Sequence, residues 1–430
     1  MMVTLPFLLL LLDYWPLQRF SGVGFRRLFI EKIPFFGLAV FFCVVTIFAQ
    51  KAGDAVKPLG GLAMTTRLEN AVLSYAGYLG HFFWPLNLTI LYSYPKNFDI
   101  IQVCLTTLLL LAISALCLLQ HARRPYLLVG WFWYLGTMVP VIGLVQVGAE
   151  PMADRYTYIP LIGPVISLTW LVSEWSARSS LRRYVTACLV GVALAMCIVL
   201  TQAQMMCWQN VVTLYEHAVV IEPGNARVQR LLGLGLEEEG NLRQAAVRYR
   251  MSIAINPANW VPHFRLADCL WEEGCRREAR AEYETAISHG RDFNDEIEDT
   301  DLAIALARLG RYQETVGRLE AALRVNPYST KAMNALAWLL ATCPDAGIRD
   351  GTRAVELAKR ACDMTGNTEA LSISTLAAAD AEAGHFDEAI AAGREAIALG
   401  QQRGDAGLVK RNQQYLQLYM AHKACRENDE

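Results

Sequence analysis

The sequence predicts an all-α protein in which a multi-span transmembrane helical domain precedes a helical-repeat solenoid. Three observations carry this prediction. Long apolar runs fill the first half of the 430 residues and stop near residue 207. From there a 34-residue spacing takes over, with Pro223 and Pro257, and Gly240 and Gly274, each 34 apart. Charge also changes sign between the halves. Residues 1–207 hold 14 Lys or Arg against 8 Asp or Glu, whereas residues 208–430 hold 25 against 33. The net charge of −2 therefore averages a basic membrane half and an acidic one. Nothing in the acidic half is basic enough to suit nucleic acid. The 11 cysteines are scattered with no Cys-x-x-Cys spacing, so they read as small core residues and not as a zinc or redox site.

In chain order, six runs are candidate spans of a roughly 30 Å hydrocarbon layer: 2–17, 34–50, 100–120, 126–148, 157–175 and 184–206. The first lacks the positive start and small-residue cleavage site of a signal peptide. Residues 68–86 differ. Leu68, Ala71, Val72, Tyr75, Leu79, Phe82, Phe83 and Leu86 keep to one helical face, while Glu69, Asn70, Ser74 and His81 fall elsewhere. This pattern predicts an amphipathic helix in the interface, since a seventh span would put Arg123 and Arg124 on the opposite side from the other basic turns.

Orientation follows from the short connections. Segments 18–33, 121–125 and 176–183 hold nine of the fourteen basic residues, which places them in the cytoplasm. The 150–160 turn and everything after residue 206 then lie outside the cytoplasm, in a multi-pass membrane protein. If the chain is bacterial, the membrane is the inner one. A chain whose second residue already opens an outside-to-inside span also leads us to expect further helices upstream. No span shows a charge relay of the kind a transporter would need.

The second half fits the tetratricopeptide pattern. In that pattern small residues sit where two helices touch, a bulky residue fills the gap, and proline ends the second helix. Leu232, Gly233, Gly240, Ala245, Tyr249 and Pro257 occupy those slots in the first full repeat, and Leu266, Ala267, Gly274, Ala279, Tyr283 and Ala286 do so in the second. Leu302, Ala303, Gly310, Ala322 and Pro327 mark a third. Leu336 and Ala337 open a fourth, interrupted by an insertion near 343–351, and Leu376, Ala377, Gly384, Ala389 and Ala396 mark a fifth. With a partial repeat around Tyr215, the solenoid covers 208–402, and residues 403–430 form a capping helix and tail. First helices of such repeats line a concave face where a protein or peptide partner docks. By slot position Phe264, Asp268, Trp271, Asn334 and Trp338 belong to that face. Each could equally serve packing within its own repeat.

Several stretches together resemble the transmembrane and tetratricopeptide O-mannosyltransferase family and its bacterial relatives, which are similar to GT-C-type glycosyltransferases. They are Val3-Thr-Leu-Pro-Phe, Asp13-Tyr-Trp-Pro-Leu, Arg67-Leu-Glu-Asn, Tyr78-Leu-Gly, Trp84-Pro-Leu-Asn-Leu and Ala153-Asp-Arg-Tyr-Thr-Tyr-Ile-Pro. The resemblance implies transfer of a sugar, typically mannose, from a polyprenyl-phosphate carrier to a protein hydroxyl, with the repeats presenting the acceptor. It also implies a catalytic acid in a first external loop that would lie upstream of Met1, so the catalytic residue is unassigned and Asp154 and Glu150 are the candidates. Such a transfer needs a carboxylate for the acceptor's proton and a cation or divalent metal for the departing phosphate. Arg155 would contact the lipid phosphate, with Tyr156, Glu69 and His81 lining the same cavity. The alternative function is a non-catalytic, membrane-anchored scaffold.

Overall fold

The computed structural model describes residues 2–52, 63–95, 98–144, 151–290 and 296–426. Among these residues there is helix and no strand. The chain divides into two compact units, Met1–Val228 and Gln229–Glu430, about twenty residues beyond the 207/208 boundary read from composition.

The first unit contains α1 (Leu5–Tyr14), α2 (Phe20–Val23), α3 (Phe25–Ala52), α4 (Met64–Phe83), α5 (Ile100–Leu119), α6 (Pro125–Met138), α7 (Ile162–Ser176), α8 (Ser180–Cys207) and α9 (Val211–Ile221). Among the described residues three helices are long and apolar enough to cross a membrane: Phe25–Thr46 within α3, α5 and α8. The other three expected spans are shorter. α1 has 10 residues, α6 has 14 and α7 has 15, so at about 1.5 Å per residue each falls short of the hydrocarbon thickness. Proline is the reason, because it lacks the N–H the helix needs and clashes with the turn before it. Pro16 follows the end of α1, Pro140 follows the end of α6, and Pro160 precedes α7. A run of apolar residues is counted straight through such breaks. The predicted amphipathic helix is found as α4, displaced by about one turn.

Two contacts organise this unit. α6 crosses α7 at two glycines, where a Cβ on Gly130 would lie 2.4 Å from the carbonyl oxygen of Gly163. α4 docks on α6 through tyrosines: Tyr134 donates to the carbonyl of Tyr75 at 2.6 Å, and Tyr75 donates to that of Leu135 at 2.7 Å. Lys32, counted above as a loop charge, instead lies inside α3, buried and paired with the buried Asp13 of α1. Arg19 joins the pair, 3.0 Å from Asp13 and 2.9 Å from Glu31. A charge network was not expected in this half. It is a closed set in which each charge faces an opposite one, the condition under which buried ions persist.

Among the described residues, the second unit is five antiparallel helix pairs and a cap. The pairs are α10 (Ala226–Glu238) with α11 (Leu242–Ile255), α12 (Trp260–Glu272) with α13 (Arg276–His289), α14 (Glu296–Arg308) with α15 (Tyr312–Val325), α16 (Thr330–Thr342) with α17 (Gly351–Met364), and α18 (Ala370–Glu382) with α19 (Phe386–Arg403); α20 (Ala406–Met420) follows. Gly240, Gly274, Gly310 and Gly384 hold φ of +79° to +83°, a left-handed conformation that costs any residue with a Cβ. At each, the glycine N–H and the next N–H turn back onto the last helical carbonyls, as Asn241 does onto Leu236 and Cys275 onto Leu270. The fourth pair replaces this turn with residues 343–350, where Arg349 bonds the carbonyls of Cys343 and Pro344. The core is alanine-rich at the helix contacts, with Ala245, Ala279, Ala322, Ala354 and Ala389 fully buried, and bulky Tyr249, Tyr283 and Leu319 fill the gaps between helices. These are tetratricopeptide repeats by spacing, turn geometry and packing.

Candidate functional site

Two places in the chain gather functional groups, one in each unit. In the first unit the turn after residue 150 is tied to α4 by backbone bonds. Asn70 donates to the carbonyl of Pro151 at 3.2 Å, and the Tyr78 hydroxyl accepts from the N–H of Ala153 at 2.8 Å while donating to its carbonyl at 3.2 Å. This clamp presents Asp154 at the start of a single 3-10 turn, Asp154–Thr157. The Tyr92 hydroxyl donates to both carboxylate oxygens, at 2.9 and 3.1 Å, and Nδ1 of His81 lies 3.4 Å from Oδ1. The His81 and Tyr92 rings stack with centroids 6.0 Å apart. Burial, and after it the Asp154 charge, pushes the Tyr92 hydroxyl's pKa up, so Tyr92 serves as a donor. Asp154 and His81 remain partly open, with 30% and 26% of their side chains exposed.

Of the residues expected here, Asp154 and His81 come together. Arg155 and Tyr156 follow on the same turn, the Arg155 guanidinium exposed and 5.2 Å from the Tyr156 ring centroid. Glu69 is twelve residues from His81 along α4, about 18 Å at 1.5 Å per residue, so the helix sets it apart from this cluster. Glu150 lies outside the described residues. Tyr92 was not expected; it sits in a non-helical stretch with no periodicity to mark it. Among the described residues no three His, Cys, Asp or Glu side chains converge to hold a metal ion.

In the second unit a cavity of about 570 Å³ opens along α14, α16, α18 and α20. Lys331, Asn334 and Trp338 line it from α16, three positions spaced to share one face of that helix. Arg308 of α14 and Arg411 of α20 also line it, and the Trp338 and Tyr415 rings meet at 5.9 Å. Oδ1 of Asn334 is buried and has no hydrogen-bond partner among the described residues. Buried polar atoms are normally paired, so an orphan acceptor on a cavity-lining residue fits a missing donor.

Of the five residues read onto the concave face, Asn334 and Trp338 line this cavity. Phe264 does not: at 2% exposure it packs on the Tyr283 ring at 6.0 Å, because the gap between α12 and α13 takes a large side chain. Asp268 accepts from the Tyr283 hydroxyl at 2.6 Å, and burial pushes its carboxyl pKa up to about 6. Trp271 lies between two guanidinium groups, Arg276 at 3.9 Å and Arg308 at 5.0 Å from a ring centroid, an arrangement that joins two repeats. Neither Asp268 nor Trp271 belongs to the cavity lining.

No protein-family model matches the chain, and no curated protein matches it. Among solved structures, a thermophilic TPR protein of Thermus thermophilus is 19% identical, covering 44% of this chain and 98% of that one, at a TM-score of 0.36. YrrB, described as a TPR protein with an unusual peptide-binding site, is 14% identical over 46% of this chain and 97% of its own, at 0.31. Pseudomonas aeruginosa pilF is 19% identical over 46% and 91%, at 0.32. At such scores the likenesses carry no argument, and the repeat assignment rests on this chain's own turns and packing.

Proposed function

We propose that the chain is a membrane-anchored scaffold whose repeats hold a protein or peptide in the groove across α14, α16, α18 and α20. The observation that carries this reading is a cavity of about 570 Å³ lined by Asn334, whose buried Oδ1 has no hydrogen-bond partner among the described residues. Leaving such an acceptor unsatisfied costs about 1–3 kcal/mol, which a bound peptide N–H would recover. Three helices long and apolar enough to cross a membrane support the anchor, and the basic short connections support repeats outside the cytoplasm. Peptides selected by display on the full-length, detergent-solubilised protein should lose binding in Asn334→Ala and Trp338→Ala. Selection yielding only peptides indifferent to both changes refutes the reading. For sidedness, a reporter fused after Pro257 should behave as extracytoplasmic, and an intracellular signal overturns that placement.

A second reading is favoured by the Asp154 cluster. A carboxylate bonded by Tyr92 and facing His81 suits proton transfer, and exposed Arg155 beside it suits a phosphate. With the family resemblance, this supports a protein O-glycosyltransferase using a polyprenyl-phosphate sugar, with Asp154 or Glu150 as base and a divalent metal as the alternative cation. Arg155→Ala should abolish binding of polyprenyl-phosphate mannose, and unchanged binding removes Arg155 from the site.

A further inference from the structure

The scaffold reading leaves open what kind of peptide the groove takes, and its charge answers that. Residues 208–430 carry 25 basic against 33 acidic side chains, so the half that holds the repeats repels anions on average. The cavity reverses this sign, with Arg308, Lys331 and Arg411 on its lining against the single carboxylate of Glu369. Lys331 is already matched, 2.5 Å from Asp301. Glu369 is engaged on its own helix, accepting from the Ser372 hydroxyl at 3.0 Å. Arg308 and Arg411 form no ion pair among the described residues, and both line the cavity with Asn334. Arg308 rests on the Trp271 ring with its charge partly offset by Asp268, and Arg411 is exposed, so each keeps N–H groups for a carboxylate brought by a ligand.

We infer, resting on the scaffold reading, that the groove's occupant is an extended acidic peptide. Its carboxylates meet Arg308 and Arg411, a main-chain N–H meets Oδ1 of Asn334, and an apolar side chain lies against the Trp338 and Tyr415 rings. Cation pairs in a groove of this kind give selectivity for acidic segments, and the acidic surroundings turn away anions that cannot enter the groove.

The probes are three fluorescein-labelled peptides that share a central leucine and differ only in their flanks, which alternate serine with aspartate, asparagine or lysine. Binding is read by anisotropy on the full chain in nanodiscs of neutral lipid. The aspartate peptide should bind at least about tenfold tighter than its asparagine counterpart, a difference of about 1.4 kcal/mol. That preference should shrink as ionic strength rises above about 0.15 M. Arg411→Gln, an exposed side chain whose loss leaves the core intact, should remove several-fold of the preference. Asn334→Ala should weaken the aspartate and asparagine peptides alike. Equal, Trp338-dependent binding of all three peptides overturns the acidic preference while leaving a peptide-binding groove. Failure of all three to bind wild type overturns both the preference and the groove.

Discussion

Tyr283 donates its hydroxyl to Asp268 at 2.6 Å, linking the two helices of one repeat through a bond whose acceptor carries a carboxyl pKa near 6. Burial raises the value, and Tyr283 and Arg265 partly offset it by favouring the ionised form. The sign is opposite to that of an ordinary ion-paired aspartate. Below the unfolded value of 3.8 both states are protonated and nothing is lost. As pH climbs from there to about 6 the unfolded chain ionises first, so the folded state loses stability. Two units correspond to an upper bound of about 3 kcal/mol, and water at the partly exposed carboxyl reduces it. Between pH 4 and 7 the wild-type melting temperature should therefore fall relative to Asp268→Asn. Parallel curves for the two proteins would contradict a raised carboxyl.

His263 behaves in the other direction. Its Nδ1 lies 2.6 Å from Glu282 and its Nε2 lies 3.2 Å from the carbonyl of Pro257, so both ring nitrogens have acceptors when protonated. The hydrogen bond to Glu282 is the main reason its pKa rises above 6.5, against the opposing effect of burial. The pair's stabilisation is complete below pH 6.5 and disappears as pH rises through the folded value. An NMR titration should find the imidazole above its ordinary value and show it moving down in Glu282→Gln.

The repeat turns and helices respond oppositely to the same substitution. Gly274 sits at φ +81°, so Gly274→Ala should cost about 1–2 kcal/mol in a urea melt. Gly317 lies inside α15 with open space around its missing Cβ, and Gly317→Ala should add up to about 1 kcal/mol. Equal effects at the two sites would contradict the left-handed turn.

Gly130→Ala tests the α6–α7 crossing. The added Cβ would meet Ser167 Oγ at 2.1 Å and the backbone oxygen of Gly163 at 2.4 Å. A side chain can rotate away, but a facing backbone cannot, so the helices must part at a cost of about 1–3 kcal/mol or more. Thermal aggregation of the detergent-solubilised variant should begin at a lower temperature than wild type. No shift would mean that the helices are farther apart than described.

The repeat half was legible because its rules are local. A glycine where the chain turns left-handed and an alanine where helices touch recur at fixed intervals, and the insertion near Cys343 broke that interval visibly. The membrane half was less so. Hydropathy summed over a window does not register that Pro16, Pro140 and Pro160 interrupt the hydrogen-bond ladder, so helix lengths were overstated. Lys32 was counted as a loop cation because its partner Asp13 is nineteen residues away and only tertiary packing joins them. By slot position Asn334 and Phe264 are equivalent, yet Asn334 lines the cavity and Phe264 packs inside its own repeat. On a helix face, small differences in rotation decide between groove and core.

Near the end of the solenoid, Glu382 receives Arg349 at 2.9 Å and Arg426 at 2.7 Å, and Arg426 also reaches the carbonyl of Ala341. One carboxylate thus gathers the insertion, the fifth repeat and the segment after the cap. Linear arrays ordinarily fray inward from their termini, each unit leaning only on its neighbour. Here the last two repeats and α20 are stapled into a single cooperative block, so amide exchange along them should be uniformly slow and opening should start elsewhere in the array.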